Sequence, residues 1–200
     1  MKVQLSEKTR LALPELLVMR HGETEWNVQG RWQGQLDSPL TALGRKQAGD
    51  QGELLRLAGV TAESHAFICS PQLRAMKTAE IALSGVNAVA AVDDRLAEID
   101  VGEWTGQKRD HLRAANPTHD TANWLELYAA APGGETFDSI WARVVAVLEI
   151  ITGPTVIISH GVTTRFLRAA ALGQGLDAAA DMPGGQGVIH VIRNGYQSQL

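Results

Sequence analysis

The chain alternates short apolar runs with longer segments whose apolar residues recur at helical spacing. The apolar runs predict strands at 16–19, 66–69, 88–92, 155–158 and 188–192, and the helical patterns cover 41–57, 71–83, 137–151 and 161–172. Such alternation is typical of an α/β fold, so we predict a three-layer α/β/α architecture with a mostly parallel central sheet. Residues from about 107 to 132, interrupted by Pro117, predict a small helical insertion over the sheet.

Local signals refine these boundaries. Ser70 and Pro71 are typical of an N-cap and a first helical residue, which starts the second helix there. The segment 93–107 is predicted to be irregular. Asn194-Gly195 predicts a turn after the last apolar run.

Composition restricts the class of protein. With 200 residues, 44% of them hydrophobic, and a net charge of −4, the chain fits one domain over 1–200 and neither a disordered chain nor a basic nucleic-acid binder. A single cysteine, Cys69, excludes an internal disulfide and a cysteine-based zinc site. The charged first ten residues and the lack of a spanning apolar run predict a cytoplasmic protein without a membrane partner. No pattern indicates an oligomeric state.

Polar residues follow three of the predicted strands directly. Arg20-His21-Gly22 follows the first, Ser70-Pro71 with Arg74 follows the second, and Ser159-His160-Gly161 follows the strand at 155. Because the carboxyl ends of parallel strands meet at one edge, we expect two histidines and two arginines to converge there. Each alone is weak evidence, and the repeated His-Gly pair is stronger. We expect each glycine to let backbone N–H groups approach a ligand.

These residue types suit phosphoryl transfer. Two guanidiniums can hold a phosphoryl group, one imidazole can attack it, and a second can donate a hydrogen bond to its oxygens. The guanidiniums would take the place of the usual Mg²⁺, so we predict no metal and no cofactor. Neither an H-E-x-x-H nor a G-x-S-x-G motif is present, which argues against a zinc protease or a serine hydrolase.

Motifs in order along the chain carry a family resemblance. They are the run 17–27, Gln33-Gly34, Asp37-Ser38-Pro39-Leu40-Thr41, Ser70-Pro71-Gln72-Leu73-Arg74, Leu96-x-Glu98 with Trp104, Pro132-Gly133-Gly134-Glu135 and Ser159-His160-Gly161. Together they resemble the histidine phosphatase superfamily, in its phosphoglycerate mutase-like branch. The resemblance spans about 16–192 and implies the phosphoglycerate mutase-like fold.

The resemblance implies a role for each matching residue. His21 would be the nucleophile that is transiently phosphorylated, with Arg20, Arg74 and His160 forming the phosphate pocket. Glu98 would be the general acid that protonates the leaving oxygen and then activates water. The substrate-binding residues would include Asn27, Gln33 and Gly34, with the 33–34 backbone close to the substrate.

Three functions stay open on sequence alone. A phosphatase acting on a small phosphorylated metabolite is favoured, because only 61 residues separate Glu98 from His160 and little follows the last strand. Family mutases generally have a longer insertion and tail, and Gly161-Val162-Thr163-Thr164 looks more like the phosphatase members. A mutase and a catalytically silent phospholigand-binding domain are the alternatives. Long basic and aromatic side chains are candidates for the pocket mouth: Arg31, Trp32, Lys108, Arg109, Trp124 and Tyr128.

Other polar and aromatic residues receive structural interpretations. We expect a backbone carbonyl, rather than Glu23, to fix the orientation of His21. Trp26 and Trp104 are interpreted as packing residues, and Cys69 as an inert core residue. The remaining histidines are interpreted as structural or surface residues: His65, His111, His119 and His190.

Overall fold

A mixed six-stranded sheet forms the centre of the molecule in the computed structural model, which describes residues 3–117 and 124–200. Its strands are β1 Leu16–Arg20, β2 Ala66–Cys69, β3 Ala91–Val92, β4 Thr155–Ser159, β5 Ile189–Arg193 and β6 Tyr196–Gln199. The spatial order is β3-β2-β4-β1-β5-β6. The first four in that order run parallel, and β5 and β6 are each antiparallel to the preceding neighbour. The predicted α/β class is confirmed.

Helices cover both faces of this sheet. They are α1 Glu7–Leu11, α2 Glu25–Val28, α3 Ala42–Leu57, α4 Leu73–Ser84, α5 Arg109–Ala115, α6 Leu125–Ala129, α7 Phe137–Leu148 and α8 Gly161–Ala171. Alternate residues of β1 enter different cores because side chains of a strand alternate between faces. Leu16 and Val18 belong to the core with α7 and α8, whereas Leu17 and Met19 belong to the core with α3 and α4. This arrangement gives the three predicted layers.

Helix α4 starts later than predicted. It begins at Leu73, and its N-cap residue Gln72 makes no side-chain cap hydrogen bond. Asp37 supplies the cap instead, since its carboxylate accepts hydrogen bonds from the backbone N–H of Leu73 (2.9 Å) and Arg74 (3.2 Å). The prediction that Ser70 caps this helix with Pro71 as its first residue is therefore wrong. The cap comes from a residue distant in sequence, which local patterns do not reveal.

Smaller differences occur at element ends. The strand predicted over 88–92 is reduced to Ala91–Val92, and α7 ends at Leu148 rather than 151. Two 3₁₀ turns, Asp94–Leu96 and Gly102–Trp104, lie in the segment predicted to be irregular, and a third spans Leu176–Ala180. The polar strand β6 and the short helix α1 were not predicted. The turn at Asn194-Gly195 is confirmed, and it leads from β5 into β6.

Two short helices, α5 and α6, lie in the predicted insertion at 107–132. Helix α5 ends before Pro117, as predicted. Residues 118–123 are outside the described part, and so is the prediction for His119. No helix in the described ranges is long and apolar enough to cross a lipid bilayer.

Candidate active site

The carboxyl ends of β1, β2 and β4 bring the predicted residues together. Arg20 ends β1 and lies in register with Ser159, the last residue of β4. The next residue, His21, donates its backbone N–H to the Ser159 carbonyl at 3.0 Å. His160 is the N-cap of α8, and its ring centroid lies 5.2 Å from that of His21. The predicted convergence of the two histidines is confirmed.

A hydrogen bond to the backbone fixes the orientation and the tautomer of the His21 imidazole. Its Nδ1 lies 2.7 Å from the carbonyl oxygen of Gly22. A carbonyl only accepts, so Nδ1 carries the hydrogen and the lone pair is on Nε2. Burial, followed by the charges of Arg20 and Arg74, holds the pKa of His21 well below its usual value. The ring is therefore neutral near pH 7. Glu23 lies elsewhere, accepting a hydrogen bond from the Thr41 hydroxyl.

The glycines after the two histidines both lie close to other groups of the protein. The Gly22 N–H donates to the Thr78 hydroxyl at 3.0 Å, and a Cβ at this position would lie 2.2 Å from the Gly44 carbonyl oxygen of α3. A Cβ at Gly161 would lie 3.3 Å from Cζ of Arg20. The Gly22 N–H is therefore bonded to Thr78, and the α3 backbone makes the close approach at this glycine, whereas ligand approach by other N–H groups of these loops stays a prediction.

Two guanidiniums lie beside the histidine pair. Arg74 is buried and donates to the carbonyl oxygens of Leu36 (2.6 Å) and Gly34 (2.9 Å) and to the Asp37 carboxylate (2.9 Å). Its Nε, like that of Arg20, is buried without a hydrogen-bond partner among the described residues. Burial lowers the pKa of both groups, although a guanidinium stays charged at neutral pH. These unpaired donors are suited to an anion.

The Glu98 carboxylate lies at the N-terminus of α8, next to His160. It accepts hydrogen bonds from the backbone N–H of Val162 (3.2 Å) and Thr163 (3.1 Å), and from the Thr163 hydroxyl (3.0 Å). A helix N-terminus favours negative charge at such a position. The backbone of Glu98 is also held, because its N–H donates to the side-chain oxygen of Gln72 at 2.8 Å.

Gln72 connects the loop that carries Glu98 to the loop after α2. Its side-chain nitrogen donates to the Gly34 carbonyl oxygen at 2.7 Å, so one buried amide joins Gly34 to Glu98. Gly34 has a φ of +48°, and a Cβ there would lie 2.7 Å from the Val101 side chain. The chain therefore requires glycine at this position. Sequence reasoning missed Gln72, because a glutamine before a helix carries no chemical signature.

Seven of the eight predicted site residues line an inner cavity of about 60 Å³: Arg20, His21, Asn27, Gln33, Gly34, Arg74 and Glu98. His160 is fully buried and is not part of the lining. Asn27 is fixed by its side-chain oxygen, which accepts from the Thr24 N–H (3.1 Å) and the Gln186 side chain (3.0 Å). Gln186 is a further residue that sequence reasoning missed.

An outer cavity of about 300 Å³ adjoins the inner one and shares five lining residues with it: Arg20, Trp32, Glu98, Arg109 and Tyr128. The other residues that line the outer cavity are Arg113, Trp124, Leu127, Gly161, Val162 and Arg165, so most of its lining is basic or aromatic. Of the predicted mouth residues, Arg31 lines only the inner cavity and Lys108 lines neither. Arg165 was missed, although its place one turn into the helix after His160 is a usable signal.

Aromatic stacking forms one wall of the outer cavity. The rings of Trp32 and Tyr128 lie 4.1 Å apart, and Trp124 meets Tyr128 edge-on at 5.4 Å. The Arg165 guanidinium lies 5.0 Å from the Trp124 ring centroid. Burial and the nearby Glu98 carboxylate raise the pKa of Tyr128 to about 12, so its phenol stays neutral.

Trp104 and Cys69 are buried, as their structural interpretations predict. Trp104 is buried against Trp32. Cys69 is buried in β2, which raises the pKa of its thiol. Within 3–117 and 124–200, no three His, Cys, Asp or Glu side chains are grouped so that they could hold a metal ion.

Fold and site together define an α/β protein in which two histidines and two arginines come together at the carboxyl ends of parallel strands. The chain belongs to the histidine phosphatase superfamily, branch 1, whose family model matches residues 16–198.

Similar proteins carry both mutase and phosphatase names. The probable phosphoglycerate mutase GpmB of Salmonella paratyphi B is 34% identical over 170 residues, covering 80% of this chain and 75% of the relative. Bacillus stearothermophilus YhfR is 34% identical with a TM-score of 0.78, covering 90% and 91% of the two chains. The mycobacterial glucosyl-3-phosphoglycerate phosphatase Rv2419c, solved with VO3, is 30% identical with a TM-score of 0.75, covering 89% and 92%.

Proposed function

We propose that this protein is a phosphomonoester hydrolase that acts on a small phosphorylated metabolite through a phosphohistidine at His21, without a metal ion. The observation that carries the proposal is the His21 ring itself. Its Nδ1 is tied to a carbonyl oxygen, which leaves Nε2 with a lone pair beside two buried guanidiniums. A neutral imidazole so placed is a nucleophile, and an anionic ester is the substrate those charges would attract.

In the first step Nε2 of His21 attacks phosphorus, and the bond to the leaving oxygen breaks. Arg20 and Arg74 offset the negative charge on the equatorial oxygens, which is the role that Mg²⁺ has in other phosphoryl-transfer enzymes. Glu98, in its protonated form, gives a proton to the leaving oxygen. The product alcohol departs, and the phosphoryl group remains on His21.

In the second step water attacks the phosphohistidine. Glu98, now a carboxylate, takes a proton from the water, and the phosphorus–nitrogen bond breaks to release phosphate and neutral His21. The proton that Glu98 lost in the first step is thereby replaced. One carboxyl group can serve both steps because the leaving oxygen and the attacking water use the same side of the phosphoryl group.

Hydrolysis is favoured over mutase chemistry by the short insertion and by the outer cavity. A mutase must exclude water while its phosphorylated intermediate reorients. Here Arg109 and Arg113, which line the outer cavity, are exposed residues, so water can enter beside them. The mutase name of the Salmonella relative supports the alternative. If the alternative holds, purified protein will interconvert monophosphoglycerates faster than it releases phosphate from them.

The central test is the trapping of the phosphoenzyme. Rapid quenching with p-nitrophenyl phosphate should give a covalent phosphate on His21, located by mass spectrometry under non-acidic conditions. His21→Ala should abolish both label and turnover, whereas His65→Ala, beside Glu15 before β2, should change neither. Label on another residue would contradict the proposal. Binding of a phospholigand by wild type without turnover would instead indicate the silent domain.

Metal dependence and vanadate sensitivity test the electrostatic part of the proposal. Turnover should survive EDTA, because guanidiniums supply the positive charge. Vanadate should inhibit at micromolar concentration, since it can adopt the five-coordinate geometry of the transferring group. Full loss in EDTA that Mg²⁺ restores, or indifference to millimolar vanadate, would overturn this mechanism. A screen of phosphorylated metabolites by kcat/KM would then identify the substrate that the outer cavity accepts.

A further inference from the structure

Ser70 is the hydrogen-bonding partner of the second histidine. Its hydroxyl oxygen lies 2.6 Å from Nε2 of His160, and both residues are fully buried at the ends of neighbouring strands. The other ring nitrogen, Nδ1, is buried with no hydrogen-bond partner among the described residues. Because the ring has this one contact, the direction of that hydrogen bond determines which nitrogen carries the hydrogen.

His160 holds a single ring hydrogen near neutral pH. Burial is the main cause that keeps its pKa well below the usual value, and the charge of Arg74 adds to it. With the hydrogen on Nε2, the unpartnered Nδ1 would carry a lone pair, on a ring whose centroid lies 5.2 Å from that of His21. That lone pair would repel a phosphoryl oxygen. With the hydrogen on Nδ1, the same nitrogen would be a donor to that oxygen.

The surroundings of Ser70 decide between these forms. The backbone N–H of Gln72 donates to the Ser70 oxygen at 3.3 Å. Apart from Nε2, the acceptor within reach of the Ser70 hydroxyl hydrogen is the Gln72 side-chain oxygen at 3.4 Å, which already accepts from the Glu98 N–H. If Nε2 carried the ring hydrogen and donated to Ser70, the hydroxyl hydrogen would be left with that long contact alone among the described residues. A hydroxyl that donates to Nε2 at 2.6 Å avoids this.

We propose that Ser70 is a positioning residue that donates its hydroxyl hydrogen to Nε2 of His160 and thereby keeps the ring hydrogen on Nδ1, available to a phosphoryl oxygen bound beside His21. This inference rests on the proposed function for its catalytic meaning. The tautomer itself is a property of the resting protein and can be measured without turnover.

The first test is the tautomer of His160 in ¹⁵N-labelled protein. Long-range ¹H–¹⁵N correlation near pH 7 should show a protonated Nδ1 and an unprotonated Nε2, with the signals assigned by their loss in His160→Gln. Ser70→Ala should move the hydrogen toward Nε2, and Ser70→Thr, which keeps the hydroxyl, should restore the wild-type pattern. Ser84→Ala is the matched control, because that exposed hydroxyl donates to the Ile81 carbonyl oxygen within α4.

The second test is functional. Loss of a hydrogen bond to a charged group lowers a binding or rate constant by roughly 10–100-fold. Ser70→Ala should therefore lower both kcat/KM for p-nitrophenyl phosphate and the affinity for inorganic phosphate by roughly that factor. Ser70→Thr should recover most of both, and Ser84→Ala should match wild type. Thermal unfolding of each variant separates this effect from misfolding.

The outcomes distinguish this inference from the proposed function. A wild-type His160 with its hydrogen on Nε2 overturns the inference at any level of activity, even if Ser70→Ala does not fold. An unchanged tautomer in folded Ser70→Ala also overturns it. Absence of turnover in wild type would end the proposed function, whereas the predicted tautomer with a phosphate-induced shift at Nδ1 of His160 would still support the role of Ser70.

Discussion

Glu98 is the residue whose proposed role depends most on proton transfer. Its carboxylate is held by two N–H groups of α8 and by the Thr163 hydroxyl, so its position is fixed before any substrate arrives. A general acid matters in proportion to how poor the leaving group is. p-Nitrophenolate is a good leaving group without protonation, whereas an alkyl ester oxygen needs a proton from the acid as it leaves. This difference separates an acid from a residue that only shapes the pocket.

Glu98→Gln should therefore act selectively. We expect kcat/KM for an alkyl phosphate to fall by about 10²–10⁴, and kcat/KM for p-nitrophenyl phosphate to fall much less, because this constant reports the step that forms the phosphoenzyme. Steady-state rates with both esters, measured on wild type and variant, provide the comparison. Glu103→Gln, a change in the nearby 3₁₀ turn outside both cavities, is the control. Equal losses on both esters would contradict the acid role.

At the scale of the element, the junction of α4 with the loop before α3 depends on Asp37. The same carboxylate caps the helix through two N–H groups and pairs with the buried Arg74 guanidinium. One side chain thus caps the helix and holds a guanidinium that lines the inner cavity. The place of Arg74 after a predicted strand was enough to predict it as a site residue. The start of α4 was predicted at Pro71 and not at Leu73, because a cap from a residue 36 positions away leaves no local sequence pattern.

Two substitutions should separate the functions of Asp37. Asp37→Ala removes cap and ion pair together, so we expect the free energy of unfolding to fall by about 1–3 kcal/mol and kcat/KM to fall as well. Asp37→Asn keeps a capping oxygen, so it should retain most of the stability while still lowering kcat/KM. Urea unfolding and steady-state kinetics measure the two effects. Asp50→Ala, in the exposed pair with Lys46, should change neither, and unaltered stability in Asp37→Ala would refute the cap.

For the whole molecule, the sequence best predicts the elements whose apolar pattern recurs along the chain. Fully apolar runs such as β4 identify the central strands, and the residues after them identify the site. The antiparallel edge was harder to predict. Strand β6 is polar and largely exposed, and pairing with β5 across the Asn194-Gly195 turn gives it regular structure. Gln72, Gln186 and Arg165 were missed for a related reason, since their importance comes from where the fold places them.

The buried histidines make the stability of the whole fold depend on pH. Burial lowers the pKa of His21 and His160 well below the usual value, and burial with the charges of Arg168 and Arg165 lowers that of His190 to about 4. Below the unfolded pKa of about 6.5 the unfolded chain therefore binds protons that the folded chain does not, and stability falls as pH falls. For His190 this should cost about 2 kcal/mol between pH 7 and pH 5.

All three histidines should lower the free energy of unfolding in the same direction over that interval, with this stability fully present above the unfolded pKa. His190→Gln removes one of these histidines outside the site. Between pH 7 and pH 5 the free energy of unfolding of this variant should therefore fall by about 2 kcal/mol less than that of wild type, whatever the variant's stability at pH 7. Urea unfolding in phosphate-free buffer at several pH values measures both. Equal slopes for wild type and His190→Gln would show that His190 is already protonated in the folded protein at pH 5.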